Sequence, residues 1–208
     1  MIDDLRAGRN VANRECRFRT KDGRILTCSF SAQMLQLDET PCILSSIADI
    51  SAQKQGEEAL RRANRALQTI SRCNQLLVSS TDEASLLNGI CRLLVEQGGY
   101  RMAWIGYAES DEEKSVRPVA QAGFEAGYLD AIRISWADDE RGRGPTGTAI
   151  RTGRPAIARN IPEDPAYAPW RAAAIRRGYA SSIALPMQKG ENCLGVFNLY
   201  AAEPDAFQ

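Results

Sequence analysis

The chain has 208 residues, 44% of them apolar, enough for a packed core in one or two domains, and 26 basic residues balance 26 acidic ones, so net charge recruits neither nucleic acid nor a membrane. It contains no histidine, which excludes serine-hydrolase triads, histidine-ligated haem, most transition-metal sites and a phosphoacceptor histidine within these residues. Six cysteines (Cys16, Cys28, Cys42, Cys73, Cys91, Cys193) lie apart with no C-x-x-C pair, against zinc and a disulfide framework, and with no signal peptide or membrane-length apolar run the chain is expected to be cytoplasmic, with no membrane contact.

After a short polar start, the first fifty residues read as strands. Glu15 to Thr20 alternates, Lys21-Asp-Gly-Arg24 makes a tight turn, Ile25 to Ala32 alternates again, and Asp38-Glu-Thr-Pro41 turns the chain into Cys42 to Ile47. The K-D-G-R hairpin and the closing Asp49-Ile-Ser51 resemble the C-terminal half of a PAS domain. That resemblance implies residues 1–51 as a truncated PAS remnant, a three-stranded meander with one apolar face uncovered, and a chain cut from a longer protein.

Residues 52–79 predict one linker helix. Leu60, Ala63, Leu67, Ile70, Asn74 and Leu77 step by three and four, the seam spacing of a coiled coil, and a polar Asn74 in the seam suits fixed register and parallel pairing. The expectation is a homodimer through this seam; the alternative is a single amphipathic helix lying on the next domain. Glu57 and Glu58 precede Arg61 and Arg62 by four, which supports the helix.

Ser80-Thr-Asp-Glu83 reads as a capping box that starts a second helix with Leu86, Leu87, Ile90, Cys91 and Leu94 on its buried face, ended by Gly98-Gly99. Strands are expected over Tyr100 to Glu109 and Val116 to Ala122, joined by the polar loop at Asp111, then a short helix from Gly127 to Ile134 and a loop from Trp136 to Gly144. Next come a glycine-rich turn, a helical piece from Thr148 to Thr152, an extended run from Ala156 to Asn160, a segment carrying Pro162, Pro165 and Pro169, and a helix from Trp170 to Arg177. Strands over Ser181 to Met187 and Cys193 to Ala201 finish the chain, and the long irregular stretch between strands suits a lid or binding wall.

The motifs Gly144-x-x-Gly147-x-Ala149, Thr152-Gly-Arg-Pro155, the proline-rich crossover and Ser181-x-x-x-x-Pro186, in this order, resemble a GAF domain, the small-molecule sensory module. The match runs from about Leu76 to Asp205. It implies an α+β fold, with a central antiparallel sheet flanked by helices over residues 80–208, lacking its C-terminal helix, and a pocket roofed by the irregular segment.

Within that frame, strand alternation puts Met102, Trp104 and Gly106 on one face of one strand, and Ser182, Ala184 and Pro186 on one face of another. The resemblance brings Asn160, Trp170 and Arg171 near the pocket mouth. The candidate ligand residues are Trp104, Asn160, Trp170, Arg171, Ser181 and Ser182. Both tryptophans also suit a plain core, and the serines could satisfy neighbouring backbone.

Between Arg141 and Arg177 eight arginines face two acids, Glu163 and Asp164. An anionic ligand is conceivable, although most arginines in an arginine-rich chain are surface residues.

No catalytic residue, metal ligand or cofactor is expected. Asp138-Asp-Glu140 beside Arg141 and Arg143 reads as a solvated loop, and the serines have no base nearby. Bilin attachment lacks its histidine and cyclic nucleotide its Asn-Lys signature. A GAF-type free methionine sulfoxide reductase, which needs clustered cysteines, is the remote enzymatic alternative to Cys91 and Cys193 as inert residues. The expected function is the sensory part of a bacterial signal transducer, biasing an absent output domain such as a histidine kinase or a diguanylate cyclase. The alternative is a dimerisation module with no ligand.

Overall fold

The computed structural model describes residues 10–38, 40–124, 127–190 and 192–207, with the backbone alone at Asp130 and Ala131. The polar start and the turn residues Glu39 and Glu191 lie outside these. Two compact units divide within a helix, one up to Asn64 and one from Arg65.

The first unit is an antiparallel meander of β1 (Val11–Arg19), β2 (Ile25–Leu37) and β3 (Thr40–Asp49). The strands run longer than their alternation suggests, because exposed residues such as Gln33 to Leu37 still complete the ladder with β3. The β1–β2 turn is set by Gly23 in the left-handed region and by Asp22, which takes hydrogen bonds from the Thr20 hydroxyl and the Arg24 guanidinium. One face of β1–β2 buries Val11, Cys28 and Ala32 with Phe30. β3 is exposed throughout, and its adjacent Ile43 and Leu44 leave apolar surface on both of its faces, not on one.

Helix α1 (Ser51–Ser79) is one uninterrupted helix of 29 residues. Its start is tied to β2 by the Ser51 hydroxyl, which accepts from the Thr27 N–H, and Lys54 pairs with Glu15. Thr69 is buried, and Cys73 and Leu76 are half-buried on the same stripe. All six seam positions, Leu60, Ala63, Leu67, Ile70, Asn74 and Leu77, are exposed. At 100° per residue, that open stripe lies roughly 120° around the helix from the packed one.

The second unit holds α2 (Glu83–Glu96) and a five-stranded antiparallel sheet. The strands are β4 (Met102–Ala108), β5 (Val116–Gly123), β6 (Ala156–Ala158), β7 (Ser181–Lys189) and β8 (Asn192–Ala201), in the order β5-β4-β8-β7-β6. β4 is buried on both faces from Met102 to Gly106, which is why it reads as a continuous apolar run. On one side α2 covers the sheet: Cys91 packs with Ala103, Ile105, Ala120, Leu199, Ala201 and Phe207. On the other side lie α3 (Tyr128–Ala131), α4 (Pro145–Thr152), a 3-10 turn (Pro165–Tyr167) and α5 (Arg171–Arg176), over a core that includes Met102, Trp104, Ala184 and Tyr200.

The cap of α2 corrects the expected box. Asp82, not Ser80, is the N-cap, and its carboxylate accepts from the Ser85 N–H at 2.8 Å. Glu83 is diverted, because it accepts a hydrogen bond from the Tyr107 hydroxyl. Hydrogen bonds from Ser85 hold the Asp82 carboxyl below its ordinary value of 3.8, so its contribution is present above the unfolded value and is lost as pH falls through the folded one. Asp82→Asn, which keeps a capping oxygen, is therefore expected to flatten the acid limb of the melting-temperature profile below about pH 4 while leaving the neutral value nearly unchanged. An acid limb identical to the wild type in thermal melts from about pH 3 to 7 would refute this.

Candidate functional site

Helix α4 begins where the glycine-rich stretch allows the backbone to close in. Gly144 is its N-cap and Pro145 its first residue, so the helix starts three residues before the expected Thr148. Proline is pre-organised for a first helical position. A side chain at Gly144 would stand inside the Trp170 ring, and one at Gly147 would strike the carbonyl oxygens of Gly142 and Ser135. Arg151, one turn further on, donates from a single guanidinium nitrogen to the carbonyls of Trp136, Ala137 and Gly142 at 3.1, 2.8 and 2.6 Å. That clamp holds the 136–142 loop against the helix.

Between α4, the 3-10 turn and the sheet is a small chamber lined by Tyr128, Ile132, Ile134, Gly144, Pro145, Thr146, Tyr167, Trp170 and Tyr200. Its free volume is about 10 Å³, room for roughly one water molecule. Tyr167 meets Trp170 edge-on with ring centres 5.7 Å apart, and Tyr128 meets Tyr200 edge-on at 5.9 Å. Such T-shaped pairs stabilise the wall beyond the area they bury.

The phenols of Tyr128, Tyr167 and Tyr200 hydrogen-bond among themselves, and burial raises all three above the ordinary tyrosine value, so each stays protonated. Trp104 Nε1 donates to the Tyr200 hydroxyl at 3.4 Å. Thr146 Oγ1 donates to Asn198 Oδ1 at 2.8 Å, and Asn198 Nδ2 is buried with no acceptor.

Sheet register explains these neighbours. Met102 and Ser182 flank Tyr200 across strands, and Trp104 and Ala184 flank Asn198. All six therefore share the chamber side of the sheet.

Of the residues singled out from the sequence, Trp170 lines the chamber, and Trp104 and Ser182 lie in the layer beneath it. Ser182 Oγ makes no hydrogen bond of good geometry, yet it lies near enough to the Tyr167 phenol to offset part of its rise. Ser181 is turned to the opposite face, where its hydroxyl donates to the Glu203 carbonyl; neighbouring residues of a strand cannot share a face. Asn160 serves the crossover through its backbone, its carbonyl accepting from Glu163 and Asp164. Arg171 Nη2 donates to the Asp164 carbonyl at 2.7 Å, which pins the crossover, and its Nε is buried without a partner. Sequence reasoning missed Tyr128, Thr146, Tyr167, Asn198 and Tyr200. The signal for two of them is Asn198 and Tyr200 at inward positions of an otherwise apolar strand.

Beside the chamber is a wider cleft of about 410 Å³, which includes Arg133, Arg141, Glu113 and Asp139 and shares Ile132 and Ile134 with it. Among the described residues no three Cys, Asp or Glu side chains gather as a metal site, and no helix is long and apolar enough to cross a membrane. Cys91 is fully buried on the α2 side, and burial pushes its thiol up to about 12. Cys193 packs at the edge of the chamber-side core, its Sγ 3.2 Å from the Gly195 carbonyl.

The GAF domain family profile matches residues 80–208. Solved structures with the same fold include the GAF domain of A. aeolicus nlh2 in an inactive state (17% identity, 67% of this chain and 80% of that one, TM-score 0.54). Another is the free methionine-R-sulfoxide reductase of Neisseria meningitidis in complex with its substrate (16%, 71% and 79%, 0.56). A third is the GAF domain of an Acinetobacter phosphoenolpyruvate-protein phosphotransferase (14%, 68% and 80%, 0.53). No curated protein sequence matches the chain significantly.

Proposed function

The chain belongs to the GAF domain family, and from that premise we propose that it is a cytoplasmic sensory module that binds a small molecule in the aromatic chamber and acts without catalysis. In this reading residues up to 51 are a PAS remnant and residues 52–79 a linker helix. The module works as a homodimer paired through the open seam of α1, and passes its state to an output domain of a bacterial signal transducer.

The observation that carries the binding role is the convergence of three buried phenols on one small space, with the unpartnered amide nitrogen of Asn198 on the same side of the sheet. Buried polar groups are ordinarily matched, and a ligand supplies what the protein does not. The seam residues support pairing, because four large aliphatic side chains in one stripe lie open. The GAF fold is shared with methionine-R-sulfoxide reductases. Cysteine chemistry of that kind is disfavoured here, since Cys91 and Cys193 pack on opposite faces of the sheet and Cys91 is held as a thiol.

Native mass spectrometry of the purified protein and a thermal-shift screen of small metabolites test the binding role. A bound or stabilising small molecule is expected for the wild type and is expected to be lost in Gly144→Ala, where the new methyl drives Trp170 out of its place. Retention of the ligand by a folded Gly144→Ala protein would overturn the assignment of the chamber. Turnover of methionine sulfoxide, lost in Cys91→Ser or Cys193→Ser, would overturn the non-catalytic reading.

A further inference from the structure

Cys16 and Cys28 are well separated in the sequence, yet the register of β1 on β2 sets them directly opposite each other on one face of the meander. Both are free thiols; Cys16 is half-buried and Cys28 is 3% exposed. The next pairs on that face are Phe18 with Leu26 and Arg14 with Phe30. The Phe18 and Phe30 rings lean toward each other across the cysteines, with centres 6.4 Å apart.

The backbone ladder fixes the spacing of the two thiols. Near the turn the Thr20 N–H donates to the Arg24 carbonyl at 2.8 Å, and hydrogen-bonded pairs recur at every second position. Cys16 and Cys28 are therefore such a pair. Thr27 agrees with this, because its N–H and carbonyl are turned the other way, to Ser51 Oγ and the Ile50 N–H. In a hydrogen-bonded pair the Cα atoms lie about 5.5 Å apart, inside the range of about 4.4–6.8 Å that a disulfide spans. The Cβ atoms of opposite residues stand about 4.5–5.5 Å apart, and a bridge needs about 3.5–4.5 Å. Closing it draws the strands together and leaves the bond strained, and strained bridges are the readily reduced ones.

The two thiols differ in their surroundings. On its other side Cys28 is paired with Asp49 of β3. Burial first, then the Asp49 carboxylate and the neighbouring Cys16, raise the Cys28 thiol above its ordinary value. Cys28 therefore stays protonated, and Cys16, the more open of the two, is the one an oxidant reaches.

We propose that Cys16 and Cys28 form a peroxide-responsive pair that closes a reversible disulfide between β1 and β2. The Cys16 thiolate attacks one oxygen of a hydroperoxide. The O–O bond breaks, and the other oxygen leaves as water or alcohol with the proton that the thiol gave up. Cys28 then attacks the sulfur of the Cys16 sulfenic acid: the S–S bond forms, the S–O bond breaks, and the oxygen carries the Cys28 proton away as water. Two thiols are oxidised and the peroxide is reduced by the same two electrons. A dithiol reopens the bridge by exchange. In a reducing compartment such a bridge is transient and follows the oxidant, unlike a structural one. The site stands where the meander passes into α1, one residue from the Thr27 tie to Ser51.

The full chain carrying Cys42→Ser, which removes the exposed cysteine of β3 that could link two copies, is reduced, freed of reductant and treated with hydrogen peroxide. Trypsin cuts between the two cysteines at Arg19, Lys21 and Arg24, so a linked pair of peptides reports the bridge in mass spectrometry. The Cys16–Cys28 linkage is expected to form at least about tenfold faster than half-buried Cys193 loses its thiol, and to reopen with dithiothreitol. Cys16→Ser is expected to leave Cys28 reduced, and Cys28→Ser to leave a Cys16 sulfenic acid that dimedone captures. Circular dichroism checks each variant, and the mapping of the parent alone decides should one unfold. No Cys16–Cys28 linkage, linkage of either to another cysteine in its place, a rate no greater than that of Cys193, or a linkage that dithiothreitol leaves closed overturns the proposal. So does a folded Cys16→Ser protein whose Cys28 is oxidised as fast as in the parent.

Discussion

Trp104→Ala is expected to destabilise the GAF domain by about 3–5 kcal/mol. Trp104 is completely buried in the inner strand β4, between β5 and β8, and belongs to the chamber-side core. The chain is arranged around its indole: at Gly106, two residues on, a side chain would collide with the ring and with Val116. Truncation therefore leaves a cavity that these neighbours cannot fill by small shifts, and it also strips Tyr200 of the indole N–H. Urea unfolding followed by circular dichroism measures the loss. Trp104→Phe, which keeps most of the volume and removes the N–H, should cost markedly less. A loss below about 1 kcal/mol for the alanine variant would mean that the site collapses freely.

The second large effect concerns association. Leu67→Asp together with Ile70→Asp is expected to convert a dimer into a folded monomer. Each of these side chains is more than half exposed in the single chain, so pairing is what would remove them from water. Burying a side chain of this size contributes roughly 1.5–3 kcal/mol. Two positions on each of two helices make at least about 6 kcal/mol, some four orders of magnitude in dissociation constant. Sedimentation at micromolar concentration checks this. Wild-type protein that sediments as a monomer refutes the seam, and unchanged circular dichroism in the variant shows that the domain itself survives. Thr69, Cys73 and Leu76, on the other stripe of the helix, are untouched by the change.

Much of the fold is legible in the residues because it is locally encoded. Alternation marks β1, β2, β5 and β7, the helical spacing of α1 runs without a break, and Gly153 ends α4 in the left-handed conformation that a glycine after a helix suggests. Boundaries move where side chains outside the element decide. Tyr107 takes Glu83 away from a capping box, and Pro145 starts α4 earlier than the apolar pattern does.

The site is less legible. Tyr128, Tyr167 and Tyr200 stand on a short helix, a 3-10 turn and the last strand, and no spacing in one sequence brings such positions together. Ser181 and Ser182 look alike in composition, yet only register against β8 tells which one faces the tyrosines. The eight arginines that stand out in the sequence are drawn in part into backbone service, Arg151 and Arg171 each holding carbonyls.

The Arg151 clamp bears on time as well as on place. A loop tied only by its own turns opens on its own, exchanging its amide hydrogens with solvent much faster than the helices around it. The 136–142 loop instead gives three carbonyls to one side chain of α4, and Trp136 donates to the Glu109 and Lys114 carbonyls. Opening it requires these bonds to break, so its opening is expected to follow the fraying of α4 more closely than that of an untied loop. The amides of the segment beside Ile134 are accordingly expected among the slower-exchanging ones of the domain, as hydrogen exchange would show.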